Sequence, residues 1–314
     1  MIGIRSIGTY IPAGRIENRT RLAEFEIDAA FLEGKIGVHN RAIKAPDETT
    51  TDLCVKAARN LAERGGPAME SIECIVVVTQ NPGTQIPHVA ARLHGALGLP
   101  TRCASFDISL ACSGYVTALS IVQAFMREHG LRNALLFTAD PYSSIIDPAD
   151  KNTALLFGDA ATCTWLGENP VLTTGRFTFG TIGAESSELT SPAAGPLYMN
   201  GRAIFNFAAK HVPADIRRLL VENEILPGDV DRFIFHQGSK FIIDTLTKLL
   251  QLDPARVPLA IADCGNTVSS SIPLILAGEI TNPDARRIVL CGFGAGLSWS
   301  STLLTRTGEM TNDE

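Results

Sequence analysis

The stretch DISLACSGY, residues 107–115, decides the fold, because a cysteine stands there where a strand-like run gives way to an apolar helical run. The pattern predicts a strand over 103–108, a helix over 113–128 and another strand over 133–138. Two earlier elements are predicted, a strand over 71–79 and a helix over 89–97. This alternation is typical of a layered α/β protein.

The same alternation recurs nearer the C-terminus. The elements predicted there are a strand over 231–235, a helix over 239–250, a strand over 257–262, a helix over 268–280 and a strand over 287–291. The two sets look like structural repeats without sequence repetition. A Gly-, Asn- and Pro-containing segment, LGENPVL (166–172), separates them without a long linker. We therefore predict two halves, 1–168 and 169–314, that share one core.

Composition narrows the possible functions. With 314 residues, 45% of them hydrophobic, the chain can bury a sizeable core, and its formal charge of −6 argues against broad nucleic-acid binding. No apolar run reaches the roughly 18 residues of a membrane span, and the N-terminal residues lack a signal-peptide pattern, so we expect a cytoplasmic protein without membrane contact. Seven cysteines form no CxxC pair, so neither disulfides nor a metal site are predicted.

Cys112 is the first candidate functional residue. It precedes the helix predicted over 113–128, whose free N–H groups and positive end favour a thiolate. A packed structural cysteine is the ordinary alternative, because free cysteines are among the most buried residues. Two further polar residues favour the functional interpretation.

His236 and Asn266 occupy comparable places. His236 follows the strand predicted over 231–235, and Asn266 follows the one predicted over 257–262. Each alone is as readily a structural histidine or a turn residue. Together with Cys112 they suit acyl-thioester chemistry: a thiolate accepts the acyl group, and neutral N–H donors stabilise an enolate formed when a malonyl thioester loses carbon dioxide.

The turn Gly292-Phe293-Gly294-Ala295-Gly296 superficially resembles a dinucleotide-binding fingerprint. Only 18 residues follow it, too few for the helix, strand and acidic residue which that motif requires. Its glycines either let backbone N–H groups approach a thioester oxygen or form a bend in a strand.

With these residues the chain resembles β-ketoacyl-acyl-carrier-protein synthase III and its relatives in the thiolase superfamily. The shared elements, in order, are Gly37-Val38 with Arg41, Ala111 to Gly114, Phe157 to Ala160, Met199 with Gly201, His236-Gln237, Gly265 to Thr267, Ser271 to Pro273, and Gly294 with Gly296 before Trp299. They cover almost the whole length.

The resemblance implies a pseudo-duplicated five-layer α/β/α/β/α sandwich of the thiolase type, usually a homodimer. It implies that Cys112, His236 and Asn266 are catalytic, with oxyanion donors from the backbone of Cys112 and Gly296. It also implies condensation of an acyl-CoA primer with malonyl-acyl-carrier protein (malonyl-ACP), without a permanently bound cofactor, since CoA and ACP thioesters are substrates.

Several positions differ from the family pattern. Phe31 and Lys35 match a Trp and an Arg that contact coenzyme A in many relatives, and Lys151 replaces a second Arg. Phenylalanine still stacks and lysine still meets phosphate, without the bidentate fork of arginine. Arg202, after Gly201, is expected to bind pantetheine, a phosphate or an acidic acyl chain.

Ile86, in the segment 81–87, stands where relatives place an aromatic residue that closes the partner subunit's acyl pocket. The resemblance therefore implies that Ile86 is a gate at a dimer interface, and simple packing at that interface is the alternative. A primer larger or more branched than acetyl is expected to fit.

Other functions remain open. Acyl transfer from Cys112 to another acceptor without decarboxylation needs only a base and an oxyanion hole, so the presence of Asn266 favours condensation. A non-catalytic partner subunit or a cysteine hydrolase fits the three residues less well. The acyl primer, the pathway and the use of a CoA-bound or carrier-bound donor stay undecided.

Overall fold

The computed structural model describes residues 1–192 and 195–308. Its strands are β1 Ile2–Tyr10, β2 Gly14–Glu17, β3 Asn40–Ile43, β4 Cys74–Val78, β5 Ala104–Ile108, β6 Asn133–Ala139, β7 Ala161–Glu168, β8 Leu172–Thr181, β9 Leu189–Thr190, β10 Tyr198–Met199, β11 Arg232–Phe235, β12 Arg287–Gly294 and β13 Ser298–Arg306.

Its α-helices are α1 Ala29–Phe31, α2 Thr50–Glu63, α3 Val89–Ala96, α4 Gly114–His129, α5 Lys151–Ala154, α6 Gly201–Glu222, α7 Lys240–Leu249 and α8 Ser271–Glu279. Helix α4 ends as the sequence predicts, because Gly130 takes a left-handed conformation, with φ of 65°, at its C-cap.

One nine-stranded sheet has the order β11-β12-β13-β8-β1-β7-β6-β4-β5. Strands from before residue 169 occupy one side of it and later strands the other. The two sides meet where β1 pairs with β8 at a single position, Ile4 opposite Leu172. Each side is therefore a half-sheet with its own helices.

The apolar clusters define five layers. Helices α4 and α8 pack between the two half-sheets, with Tyr115 and Leu276 in the shared cluster. Helices α2 and α3 cover the outer face of the first half-sheet, and α6 with the neighbouring α7 covers that of the second. The layers alternate as α/β/α/β/α, so the predicted sandwich is confirmed.

The strand predicted over 257–262 is wrong. Pro258 has no N–H for a strand ladder, and the side chain of Gln237 pairs with the backbone of this segment, accepting from Ala260 N at 3.1 Å. Farther along, the C=O of Ala262 accepts from His39 N at 2.8 Å. The helix predicted over 268–280 begins instead with a 3₁₀ turn, Val268–Ser270, before α8. In the described ranges, the helices are all too short or too polar to cross a bilayer.

Candidate active site

Cys112 lies between the carboxyl end of β5 and the start of α4, and only 6% of its surface is exposed. Strand β12 passes directly beside it: a Cβ on Gly292 would lie 2.5 Å from the Cys112 carbonyl oxygen, and one on Gly294 would lie 2.9 Å from Cys112 Sγ. The glycines of this strand are thus explained by close backbone approach to the cysteine.

The protonation of Cys112 differs from the sequence expectation of a thiolate. Burial raises the pKa of the Cys112 thiol well above its ordinary value, and the nearby Asp140 carboxyl adds to that effect. Hydrogen bonds from the backbone of Cys112 and Ala295 act in the opposite direction. Besides the Cys112 backbone, the backbone group beside the sulfur is therefore that of Ala295, which directly precedes the predicted donor Gly296.

His236 follows β11 and is 3% exposed. Its Nδ1 lies 2.8 Å from Ser271 Oγ at the start of α8, and its ring meets Phe293 edge to face with centroids 5.5 Å apart. Burial lowers the pKa of His236 to about 3, although a hydrogen bond with the Val268 backbone acts to raise it. The imidazole is consequently neutral at physiological pH.

Asn266 lies on a loop rather than after a strand, and contacts with the first half of the chain hold it. Its N–H donates to the Leu156 carbonyl at 2.8 Å, and its own carbonyl accepts from Gly158 N at 3.0 Å. The side-chain Oδ1 accepts from Val268 N at 2.9 Å. This bond orients the amide so that Nδ2 faces His236 Nε2, 3.5 Å away.

Buried hydroxyls connect the parts of this site. Ser298 Oγ donates to the Ala295 carbonyl at 2.7 Å and lies 2.9 Å from Ser113 Oγ. Ser300 donates to the Ser113 carbonyl at 2.9 Å. These bonds fix the turn that contains Cys112 against the loop that contains Ala295.

A second connection runs through Asp140, which is fully buried. Its carboxylate accepts hydrogen bonds from the Ser269 hydroxyl and from Gln80 N. Burial raises the pKa of Asp140 to about 6, while these hydrogen bonds lower it. Because Ser269 lies between Asn266 and α8, Asp140 anchors the turn that positions the amide. Sequence reasoning identified neither Asp140 nor Ser298, because hydroxyl and carboxyl groups without a motif give no local signal.

Cys112, His236 and Asn266 line one cavity of about 110 Å³, so the structure brings the predicted trio together. The cavity opens to a wider outer pocket of about 380 Å³. The two share Leu156, Met199, Gly201, Ser239 and Ile242.

The outer pocket contains all five residues that the sequence nominated for coenzyme A: Phe31, Lys35, Lys151, Gly201 and Arg202. Two aromatic residues that sequence reasoning missed, Phe205 and Phe241, stack here with ring centroids 4.9 Å apart. Lys35 Nζ lies 3.4 Å from the Phe241 centroid, a cation–π distance. Both phenylalanines occur in amphipathic helices, where their spacing resembles that of core residues.

Ile86 lies elsewhere. It is 88% exposed on the segment 81–87 and does not line the Cys112 cavity of its own chain. Any effect on that cavity therefore requires a second copy of the chain.

Comparison with known proteins places these features in a family. Residues 106–183 match the model of 3-oxoacyl-[acyl-carrier-protein (ACP)] synthase III, and residues 220–306 match the model of its C-terminal part. The β-ketoacyl-[acyl-carrier-protein] synthase III of Levilactobacillus brevis is 32% identical over 94% of this chain and 95% of that protein.

Solved structures agree. The 3-oxoacyl-(acyl carrier protein) synthase III of Pseudomonas aeruginosa superposes with a TM-score of 0.89 at 32% identity, covering 98% of each chain. The priming β-ketosynthase of the R1128 polyketide biosynthetic pathway gives 0.88 at 28% identity, covering 98% of this chain and 96% of that one. Fold and site together define a thiolase-type acyltransferase. Within that class, the chain belongs to the β-ketoacyl-[acyl-carrier-protein] synthase III family.

Proposed function

We propose that this protein condenses an acyl-CoA primer with malonyl-ACP by a decarboxylative Claisen reaction through an acyl-Cys112 intermediate. The observation that supports this most directly is that Asn266 Nδ2 and His236 Nε2 lie 3.5 Å apart in the cavity that also contains Cys112. Acyl transfer alone requires a base, but two converging neutral donors suit an enolate oxygen.

In the first half-reaction, Cys112 Sγ attacks the thioester carbonyl of the primer. Because burial raises the pKa of the Cys112 thiol, its proton leaves as the C–S bond forms, and the departing CoA thiolate takes that proton. The backbone N–H groups of Cys112 and Ala295 are the proposed oxyanion donors.

In the second half-reaction, the malonyl C–C bond to the carboxylate breaks and carbon dioxide leaves. The electron pair forms an enolate, which His236 Nε2–H and Asn266 Nδ2–H stabilise. The enolate carbon attacks the acyl carbonyl, the C–S bond to Cys112 breaks, and the expelled thiolate takes a proton from water. The required tautomer is the one in which Nδ1 accepts from the Ser271 hydroxyl.

The outer pocket is the proposed entrance for coenzyme A and the carrier's pantetheine arm. Lys35, Lys151 and Arg202 supply positive charge for phosphates, and Phe31, which is 42% exposed, supplies a ring for stacking. No permanently bound cofactor is needed, because both substrates arrive as thioesters. A cytoplasmic location stays a prediction.

We also infer that residues 1–168 and 169–314 are the two structural repeats and that two copies of the chain assemble. The division of the half-sheets around residue 169 supports the first inference. The edge strand β5 and the exposed Ile86 support the second, because unpaired strand edges and exposed large aliphatic residues favour association. In such a dimer, Ile86 of each copy is the proposed gate of the other copy's acyl pocket.

Intact-mass measurement after incubation with a panel of acyl-CoA thioesters tests the proposal. Addition of malonyl-ACP should then discharge the acyl-enzyme with release of carbon dioxide and formation of β-ketoacyl-ACP. Discharge to another acceptor without carbon dioxide would contradict condensation and indicate simple acyl transfer. Analytical ultracentrifugation that finds a fully active monomer would contradict the dimer.

A further inference from the structure

Asn18 is fully buried, and both polar atoms of its side chain are bonded to other residues. It begins a 3₁₀ turn, Asn18–Arg21, and its surface is 0% exposed. Its Nδ2 donates to the Val38 carbonyl at 3.0 Å and to the Leu155 carbonyl at 2.7 Å. Its Oδ1 accepts from Arg41 Nε at 3.2 Å. One amide therefore joins two segments that are far apart in the sequence.

The first of these segments, 155–158, holds Asn266 directly. The Leu156 carbonyl accepts from Asn266 N at 2.8 Å, and Gly158 N donates to the Asn266 carbonyl at 3.0 Å. The backbones also touch, because a Cβ on Gly158 would overlap the Cys264 carbonyl oxygen. A shift of this segment therefore moves Asn266.

The second segment, 38–42, holds the chain just before Asn266. Ala42 N donates to the Cys264 carbonyl at 3.0 Å, two residues before the asparagine. The hydrogen bonds thus form a closed ring, from Asn18 through the segment 155–158 to Asn266 and back through the segment 38–42. Asn18 is the residue at which the two sides of this ring meet.

Other contacts hold the nucleophile. Ser298 and Ser300 form hydrogen bonds with Ser113 beside Cys112. In the part of the chain that the structure describes, no hydrogen bond of Asn18 reaches these residues, and Asn18 does not line the Cys112 cavity. A change at Asn18 therefore displaces Asn266 and leaves the nucleophile in place.

We propose that Asn18 is a positioning residue that holds the Asn266 amide where it converges with His236 on the enolate oxygen. This inference rests on the proposed function and adds a residue to its second half-reaction. A displacement of about 1 Å at such a site costs up to about 100-fold in rate. Because Asn18 is fully buried, its removal leaves the carbonyls of Val38 and Leu155 without their donor.

The test compares Asn18→Ala and Asn18→Asp with wild type, using the acyl-CoA that acylates wild type fastest. The aspartate keeps an oxygen for Arg41 but lacks the Nδ2 donor, and it is the second variant if the alanine variant does not fold. Both variants should acylate Cys112 within about twofold of the wild-type rate by intact mass. Carbon dioxide release from malonyl-ACP should be about tenfold to 100-fold slower.

Asn133→Ala is the matched control. Asn133 Oδ1 accepts from Trp165 Nε1 at 2.9 Å, at the end of β6 away from Asp140. Both rates should stay at the wild-type level in this variant. Equal slowing of acylation and decarboxylation in the Asn18 variants would indicate a general effect on the fold and overturn the proposal.

A double variant separates positioning from folding. In the Asn266→Ala protein, adding Asn18→Ala should slow decarboxylation by less than about twofold, because the group that Asn18 positions is already absent. A further tenfold loss would overturn the proposal. Normal decarboxylation in both single variants would do the same while the proposed function stands. If wild type releases no carbon dioxide from malonyl-ACP, the proposed function fails, and the role of Asn18 fails with it.

Discussion

The floor and the entrance of the site are built differently. At the floor, Cys112, His236 and Asn266 are each no more than 6% exposed, and buried hydroxyls or backbone groups hold them. At the entrance, Phe31 is 42% exposed, and the cations of Lys151 and Arg202 belong to exposed residues without ion pairs among the described residues.

This difference in burial determines how strongly the polar groups at each place interact with the substrate. Donors at the floor are desolvated and already oriented, so they act strongly on charge that develops during reaction. Charges at the entrance remain in water, where attraction is weak and salt screens it. Changes at the floor should therefore alter the chemical steps, and changes at the entrance should alter the binding of substrate.

The largest effects are expected at the floor. Cys112→Ala should abolish covalent acylation. His236→Ala and Asn266→Ala should leave some acyl-enzyme but slow decarboxylation by at least about 100-fold, the loss observed when one preorganised donor is removed. Intact mass and carbon dioxide release measure the two steps separately. Peptide mapping that finds the acyl group on another cysteine would disprove the assignment.

Asp140 should make the stability of the floor depend on pH. Its pKa rises from 3.8 to about 6 on folding, so its contribution to stability is full below pH 4 and is lost as pH rises through 6. The loss is about 3 kcal/mol at 1.36 kcal/mol per pKa unit. Asp140→Asn cannot ionise. The free energy of unfolding of this variant, minus that of wild type, should therefore increase by about 2.4 kcal/mol between pH 4 and pH 7 in urea titrations.

The quantity to compare is the difference in free energy of unfolding between Asp140→Asn and wild type. His236 gives both proteins a pH dependence of the opposite sign, and this contribution cancels in the difference. The lowered pKa of His236, about 3, removes stability as pH falls from 6.5 towards 3. A difference that does not change with pH would contradict the inference that Asp140 is buried and anchors Ser269.

Ser298→Ala tests the hydrogen bonds that join the turn containing Cys112 to the loop containing Ala295. Loss of its hydrogen bond to the Ala295 carbonyl should misplace the proposed oxyanion donor and lower kcat by about tenfold, with KM little changed. Thr302→Val is the matched control. Thr302 lies on the same strand as Ser298, but its hydroxyl donates to the Arg176 carbonyl on β8, away from Cys112. Equal losses in both variants would indicate a general effect on β13.

Smaller effects are expected at the entrance. Lys35→Ala, Lys151→Ala and Arg202→Ala should each raise KM for acyl-CoA by about threefold to tenfold while kcat stays the same, as expected for partly exposed charge pairs. The increase should disappear with acyl-pantetheine, which lacks the nucleotide phosphates. Lys248→Ala, an exposed lysine outside the pocket, is the control. An equal rise in KM for acyl-pantetheine would place these residues outside the phosphate site.

The smallest effect is expected at Ile86. An apolar pocket gains only about 0.8 kcal/mol per methylene, so Ile86→Phe should shift the preference gradually across acetyl, butanoyl, branched and longer primers. The measurement is kcat/KM for each primer in both proteins. An unchanged ranking would show that Ile86 is not a gate.

The sequence by itself determined the fold class and the catalytic candidates. Cys112 at a strand-to-helix junction and His236 after a strand were visible because hydrophobic periodicity is a local property. The ordered motifs then identified the family. The motif Gly265-Asn266-Thr267 marks Asn266 as a candidate, but the strand predicted over 257–262 before it is a loop in the structure.

Only the tertiary structure decided how these groups behave. The pKa values of Cys112 and His236 depend on burial, which no local pattern reveals. The approach of the Ala295 backbone to Cys112 depends on how the strand that ends at Gly294 passes the cysteine. Ser113 and Ser298 meet although 185 residues separate them. Contacts of this kind are set by the whole fold, because the free energy of burying and orienting a group depends on every neighbour that surrounds it.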